Sequence, residues 1–222
     1  MTANRCTALL VGLMALGAAR AHAASDDATS HKSFADVQQW VSVFDDPARD
    51  AYQKPAEVVH ALRFRSGMRV ADVGAGTGYF SRYLSTAVGV TGAVFAADTE
   101  PELVRHLRER AEKEQTDNVV PILASADNPR LPRGAVDLVL LVDTFHHIDR
   151  RIAYFRRLRG TLTPGGRVAV VDWQKRETPV GPELDHRLAR EQVVEEMRAA
   201  GYALVAEPDV LPYQYCLVFR PR

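Results

Sequence analysis

The chain has 222 residues, 46% of them hydrophobic and 25% charged, with 28 basic side chains set against 28 acidic ones. That length suffices for one domain with a substantial core and is short for two, and the composition excludes a disordered, fibrous or multi-span membrane chain. An even charge balance does not point to nucleic acid or an acidic membrane as the main partner.

Arg5 precedes an apolar run from Ala8 to Ala19, and Ala21 and Ala23 flank His22 as a cleavage site would require. The pattern predicts a signal peptide over residues 1–23. Its apolar run is about half of the roughly 20 residues that cross a bilayer, so no stable membrane span is expected after cleavage. The protein is then periplasmic or secreted; cytoplasmic residence is the alternative if the leader is not processed or the start codon is misassigned. Cleavage leaves Cys216 as the one thiol, which cannot form an internal disulfide. Set in a strand pattern with Leu217, Val218 and Phe219, it reads as packed and inert.

Residues 24–33 lack periodicity and are expected to form a mobile leader. In residues 34–66, Trp40, Phe44 and Tyr52 interleave with charge, and Pro47 and Pro55 mark helix starts, which predicts a helical cap. Residues 67–222 form the main domain. There, apolar runs at Met68–Val73, Ala93–Ala97, Val119–Ala124, Val136–Val142 and Arg167–Val171 alternate with amphipathic segments, the pattern of parallel strands joined by helices. One apolar stripe recurs after Gly78 (Phe80, Tyr83, Leu84, Ala87, Val88), a second behind Thr99 and Pro101 (Leu103, Leu107, Ala111). A third runs Ile152, Phe155, Leu158, Leu162 before a turn at Pro164–Gly166, and a fourth contains Val193, Val194 and Met197. Thr99 reads as the cap of the second helix. Ala203–Ala206 and Tyr215–Phe219 follow with too little chain between them for a crossover helix, so they pair antiparallel. The fold class is α/β: a Rossmann-like doubly wound sheet of five parallel strands plus a C-terminal antiparallel pair, with helices on both faces.

The run Val70-Ala71-Asp72-Val73-Gly74-Ala75-Gly76-Thr77-Gly78-Tyr79 falls where the first strand turns into the first helix of the domain. Glycine there lets the backbone take turn dihedrals and approach a ligand closely, while helix N–H groups point into the same space. A dinucleotide fingerprint would need glycine at Tyr79, which disfavours a nicotinamide-dependent oxidoreductase. The pattern resembles the first motif of class I S-adenosylmethionine-dependent methyltransferases, in particular the ubiquinone and menaquinone C-methyltransferase type and its small-molecule relatives. The segment Val142-Asp143-Thr144-Phe145-His146-His147-Ile148 carries the same likeness.

The resemblance implies S-adenosyl-L-methionine as cofactor and a small-molecule methyl acceptor. It implies cofactor contacts from Asp72, Gly74, Ala75, Gly76, Gly78, Asp98, Thr99, Asp127 and Asp143. Asp98, closing the second strand, would accept from ribose hydroxyls, and Asp127 or its neighbour's backbone would read the adenine amino group; Asp127 reads equally well as a simple turn aspartate.

His146 and His147 stand at the carboxyl end of a strand, where open α/β sheets bind ligands, and histidine suits proton removal near neutral pH. Either is a candidate base, with Asp143 to orient it or to bind the cofactor's ammonium group; packing beside the cofactor is the competing role. Asp172 and Trp173 end the fifth strand on the same rim. Acceptor choice is expected from the cap and the loop 174–188. The arginines at 150, 151, 156, 157 and 159 read as a solvated helix face, and no His, Cys and carboxylate cluster has metal-ligand spacing. A noncatalytic S-adenosylmethionine-binding module of the cell envelope is the alternative function. The sequence leaves the oligomeric state open.

Overall fold

Parallel strands covered on both faces are apolar nearly throughout, as in the runs at 70–73, 94–97 and 138–141, and each of the runs named above lies in a strand; the run at 119–123, at the sheet edge, is only partly buried. The computed structural model describes residues 27–30, 34 and 36–222; the expected signal peptide, and residues 24–26 and 31–33 of the expected leader, lie outside the described residues. Strands β1 (Arg69–Val73), β2 (Ala93–Asp98), β3 (Val119–Leu123), β4 (Val136–Val142), β5 (Leu162–Trp173), β6 (Tyr202–Ala206) and β7 (Gln214–Pro221) form one sheet in the order β3-β2-β1-β4-β5-β7-β6. The first five are parallel; β7 runs antiparallel to both β5 and β6 and lies between them.

Alternate residues feed two cores, one on each face. Ala71, Val73, Val139, Leu141 and Val170 pack with Phe155, Leu158, Val193 and Met197. Val70, Leu138, Leu140, Val171 and Cys216 pack with Val58, Leu62, Phe80 and Leu84. The helices supplying those partners are α3 (Pro55–Ala61) and α4 (Tyr79–Val88) on one side, and α6 (Arg151–Leu158) and α7 (Arg190–Ala199) on the other; α5 (Pro101–Glu114) covers β2 and β3. Burial pushes the Cys216 thiol up to about 12, as an inert core residue requires.

Three local readings change. The Pro164–Gly166 turn is not a break before β5 but a bulge within it. Val136 pairs with Leu162 and Leu138 with Arg167, so the residues between are looped out, with Gly165 at φ +82°. Thr99 does not cap α5; the carboxylate of Asp98 accepts the Glu100 N–H at 3.0 Å instead. Among the five arginines, Arg150, Arg156, Arg157 and Arg159 are exposed, but Arg151 is fully buried. Its planar fork reaches Glu196 on α7 through Nε at 2.5 Å and Nη2 at 3.0 Å, which is what makes burial of its charge tolerable.

The chain leaves β1 towards β2 and β3 and then returns to place β4 on the other side of β1. The crevice over the carboxyl ends of β1 and β4 is therefore the switch point where open α/β sheets hold ligands. The cap of α1 (Val37–Phe44), α2 (Asp50–Gln53) and α3 leads across it. Among the described residues no helix is long and apolar enough to cross a membrane.

Candidate active site

A cavity of about 440 Å³ occupies this crevice, within the range of small-ligand sites. Its floor begins with the glycine turn. The Gly74 and Ala75 N–H groups both donate to the Ala97 carbonyl, at 2.8 and 3.1 Å, locking the end of β1 to the end of β2. Gly74 has φ +74°, and a Cβ there would stand 2.3 Å from Thr144 Oγ1, so the position admits glycine alone. The Gly76 N–H donates to Asp98 Oδ2 at 2.8 Å, and a Cβ on Gly76 would meet the Phe44 ring at 3.3 Å. Burial raises the Asp98 carboxyl, while the backbone donors of Glu100 and Gly76 pull it back. Asp72 lies beneath, accepting from Ser81 Oγ at 2.7 Å; burial pushes it up to about 6.

The far wall follows β4. Asp143 takes a left-handed conformation, φ +52°, and its carboxylate accepts from Gln53 Nε2 at 2.6 Å and from Gln214 Nε2 on β7. Burial, reinforced by the negative charge of Asp172, pushes Asp143 up to about 6. Val142 is registered with Val171, so the residues that follow in each strand, Asp143 and Asp172, stand side by side.

His146 is 3% exposed, and its Nδ1 lies 2.9 and 3.0 Å from the two oxygens of Asp172, itself 1% exposed. The Trp173 and His146 N–H groups also donate to Asp172, at 2.8 and 3.3 Å. Burial pulls the imidazole down, but Asp172 outweighs it and the net direction is up. The His147 ring is 4.1 Å from that of His146, and its Nδ1 is 2.9 Å from the Ser30 carbonyl.

The cap forms the roof. Phe34, Trp40 and Phe44 contact one another, with Phe34 to Trp40 at 4.8 Å and Trp40 to Phe44 at 5.1 Å. Tyr52 lies 5.7 Å from Trp173, a 4%-exposed wall of the cavity. Asp45 latches the roof to the floor, accepting from Thr77 Oγ1 and from Arg110 Nη1, each at 2.8 Å. Asp27–Ser30, inside the stretch expected to be mobile, is held instead: the Thr29 N–H donates to the His146 carbonyl at 2.9 Å, and its hydroxyl to that of His186 at 2.6 Å. Backbone hydrogen bonding, which a composition-based reading does not see, is what fastens it.

Asp72, Gly74, Ala75, Gly76, Asp98, Thr99, Asp143, His146 and His147 thus line one cavity. Gly78 does not; it starts α4, where a Cβ would strike Leu107 of α5 at 2.8 Å, so its job is helix packing. Asp127 does not either. A tight bridge between Ser125 and Asn128 turns it outward, where it pairs with Arg157 at 2.6 Å in solvent, so the turn reading describes it. Asp143 is not the orienter of His146; Asp172 is, and the adjacency of their strand ends is the signal that could have shown it. Arg49, His186 and Gln214 carry no local motif, and only the folded chain brings them here.

Sheet order, switch-point cavity and glycine turn together define a class I, seven-stranded methyltransferase fold. Residues 70–166 match a family described as Methyltransferase domain. Over 112 residues the chain is 31% identical to the ubiquinone/menaquinone biosynthesis C-methyltransferase UbiE of Pseudomonas aeruginosa, covering 50% of this chain and 44% of that protein. It is 31% identical over 156 residues to the 27-O-demethylrifamycin SV methyltransferase of Amycolatopsis mediterranei, covering 69% of this chain and 53% of the other. The chain thus spans about half the length of these curated relatives. A SAM-dependent methyltransferase from Aquifex aeolicus has a crystal structure similar to this one at TM-score 0.79 and 26% identity, covering 85% of this chain and 98% of that one. These likenesses support a methyltransferase domain with S-adenosyl-L-methionine as its cofactor.

Proposed function

We propose that the chain is an S-adenosylmethionine-dependent methyltransferase acting on a small-molecule acceptor. The observation that carries this reading is the opening of one cavity onto both the glycine turn with Asp98 and the His146–Asp172 pair. The residues present fit the cofactor. Gly74 and Gly76 leave bare backbone for a close approach, and the Asp98 carboxylate, held at the cavity wall by the Gly76 and Glu100 N–H groups, is an acceptor placed for ribose hydroxyls. Thr99 and Leu103 extend the wall beyond it.

When bound, S-adenosyl-L-methionine supplies an activated methyl group open to in-line displacement. The chain's own work is alignment, for which effective molarity is worth up to about 7–11 kcal/mol, and removal of a proton where the acceptor is a hydroxyl or acidic carbon. With Nδ1–H given to Asp172, the imidazole lone pair is left on Nε2, and the carboxylate stabilises the cation that forms when a proton is taken. His147, its Nδ1 directed at Ser30, fits a positioning role instead. Export, inferred from the N-terminal pattern, belongs to the same reading, and native protein that begins at Met1 would refute it.

The test is calorimetry with S-adenosylmethionine and S-adenosylhomocysteine, followed by transfer of labelled methyl groups to native-cell small-molecule extracts. We expect binding of both and a labelled product. Binding of neither would overturn the reading, and binding without transfer to any extract would favour a noncatalytic binding module.

A further inference from the structure

The end of the sheet opposite the cavity carries a corner of uncompensated charge, in a chain whose basic and acidic side chains balance at 28 each. Val168 pairs with Phe219 across the antiparallel strands β5 and β7, so the next step of that register sets Arg167 against Arg220. Both belong to the sheet face whose core includes Ala169 and Val218, their alternate neighbours. Arg167 precedes Asp172 by five positions on one strand, which puts this corner roughly 16 Å from the cavity wall.

Two more arginines join them from the end of α3. Arg167 Nη2 donates to the Leu62 carbonyl at 3.0 Å, tying β5 to that helix end. Just beyond it, the Arg63 N–H donates to the His60 carbonyl at 3.0 Å and the Phe64 N–H to that of Val59 at 3.5 Å, a closing turn that holds Arg63 at φ +56°. Glycine is the usual residue at such a turn, so an arginine is kept there against its backbone preference. Arg65 follows two positions on. Burial, and then the charges of Arg220, Arg65 and Arg63, pull the Arg167 guanidinium down, so all three lie within electrostatic reach of it.

Among the described residues, no ion pair includes Arg63, Arg65, Arg167 or Arg220, whereas Arg105, Arg110, Arg151, Arg157, Arg190 and Arg198 each face a carboxylate. Asp137, one residue before the β4 partner of Arg167, accepts instead from the Arg69 N–H and the Thr163 hydroxyl, each at 2.9 Å. Like charges directly opposite on paired strands are unfavourable, and here two further guanidinium groups are added without a carboxylate to offset them. We propose that Arg63, Arg65, Arg167 and Arg220 form a receptor for one oxyanion of the phosphate type, supplied by a soluble phosphoester or by a lipid headgroup. Guanidinium forks match the geometry of phosphate oxygens, and a dianion relieves the repulsion among neighbouring cations. The site stands whether or not the cavity holds a cofactor.

The experiment is thermal unfolding of the full chain in inorganic phosphate and in chloride at equal ionic strength. About 20 mM phosphate should raise the midpoint by about 3–6 °C, as a Kd on the order of 1 mM requires. Arg220→Gln and Arg63→Gly should each keep less than about half of that rise, yet unfold no earlier than the unmodified chain in chloride, because both relieve repulsion and the second also suits the left-handed turn. Pelleting with vesicles of equimolar phosphatidylcholine and phosphatidylglycerol separates the two sources. Alongside the phosphate rise, pelleting that Arg220→Gln abolishes names the lipid headgroup, and no pelleting names a soluble phosphoester; each upholds the site. An equal rise in the unmodified chain and both variants would place the phosphate elsewhere and overturn the proposal. So would variants that unfold earlier in chloride with the rise intact, the mark of a purely structural role. Absence of any phosphate rise, with or without pelleting, would overturn it too.

Discussion

The floor and the roof of the cavity are built by different means. The floor, from Asp72 to Gly76 with Asp98, is a continuous strand-to-helix turn clamped by backbone bonds to the end of β2 and backed by two apolar cores. The roof is a set of short helices, and α1 buries no residue fully. It is held by stacked aromatic rings and by side-chain bonds such as those of Asp45 and Asp50. A surface held by a few polar bonds opens at lower free energy than a sheet core. On the proposed reading, seating the cofactor falls to the floor, and admitting and releasing an acceptor falls to the more loosely held roof.

The largest effect should come from the wall between them. Asp172→Asn should lower kcat by about 10²- to 10⁴-fold with little change in S-adenosylhomocysteine affinity, because it removes the orienter of the candidate base and leaves the nucleoside seat alone. The rate of the unmodified chain should fall as pH drops through the raised pKa of His146. Since Asp172 is what raises it, the variant's acidic limb should move to lower pH. An unmoved limb would show that His146 is not the titrating group.

On the floor, Gly74→Ala should cost about 2–3 kcal/mol in urea unfolding, from a left-handed residue plus a Cβ forced against Thr144. Gly165→Ala, at φ +82° but with nothing within 4 Å of its Cβ, isolates the backbone part at about 1–2 kcal/mol. Equal costs would mean that the close approach contributes nothing. On the roof, Asp45→Ala should cost only about 1 kcal/mol globally but speed hydrogen exchange in α1 while leaving β1 and β4 protected. Uniform loss of protection would erase the distinction between the two halves.

The smallest effect is a pH drift. Asp72 and Asp143 have folded pKa values near 6, above the ordinary 3.8, so the folded chain binds the extra protons first. Stability should therefore rise as pH falls through about 6, with that gain complete near the unfolded value, the reverse of the usual carboxylate case. A thermal midpoint on the order of a few degrees higher at pH 5 than at pH 7.5 checks it. Asp72→Asn should flatten part of the slope, and a slope unchanged in that variant would exonerate Asp72.

Much of this was legible in the residues. The apolar runs located the strands, most plainly β1, β2 and β4, because strands buried on both faces leave a strong compositional mark; β3 and β6, only partly buried, carry a weaker one. The glycine spacing and the acid closing β2 were equally plain, since the chemistry of a tight turn is local. Side-chain direction was not. Asp98 closes β2 and Asp127 lies in the loop after β3, yet Asp127 turns to solvent and pairs with Arg157 while Asp98 faces the cavity.

What the amino-acid order determined by itself was the fold class and the glycine turn, both products of periodicity and backbone freedom over a few neighbouring residues. Only the tertiary structure decided that Asp172 rather than Asp143 holds His146, that Arg151 is buried against Glu196, and that Arg49 and Asp143 line one cavity. Those pairings join residues far apart in the chain, and which charges meet is settled by strand register and helix docking, for which no short stretch of sequence carries a signal.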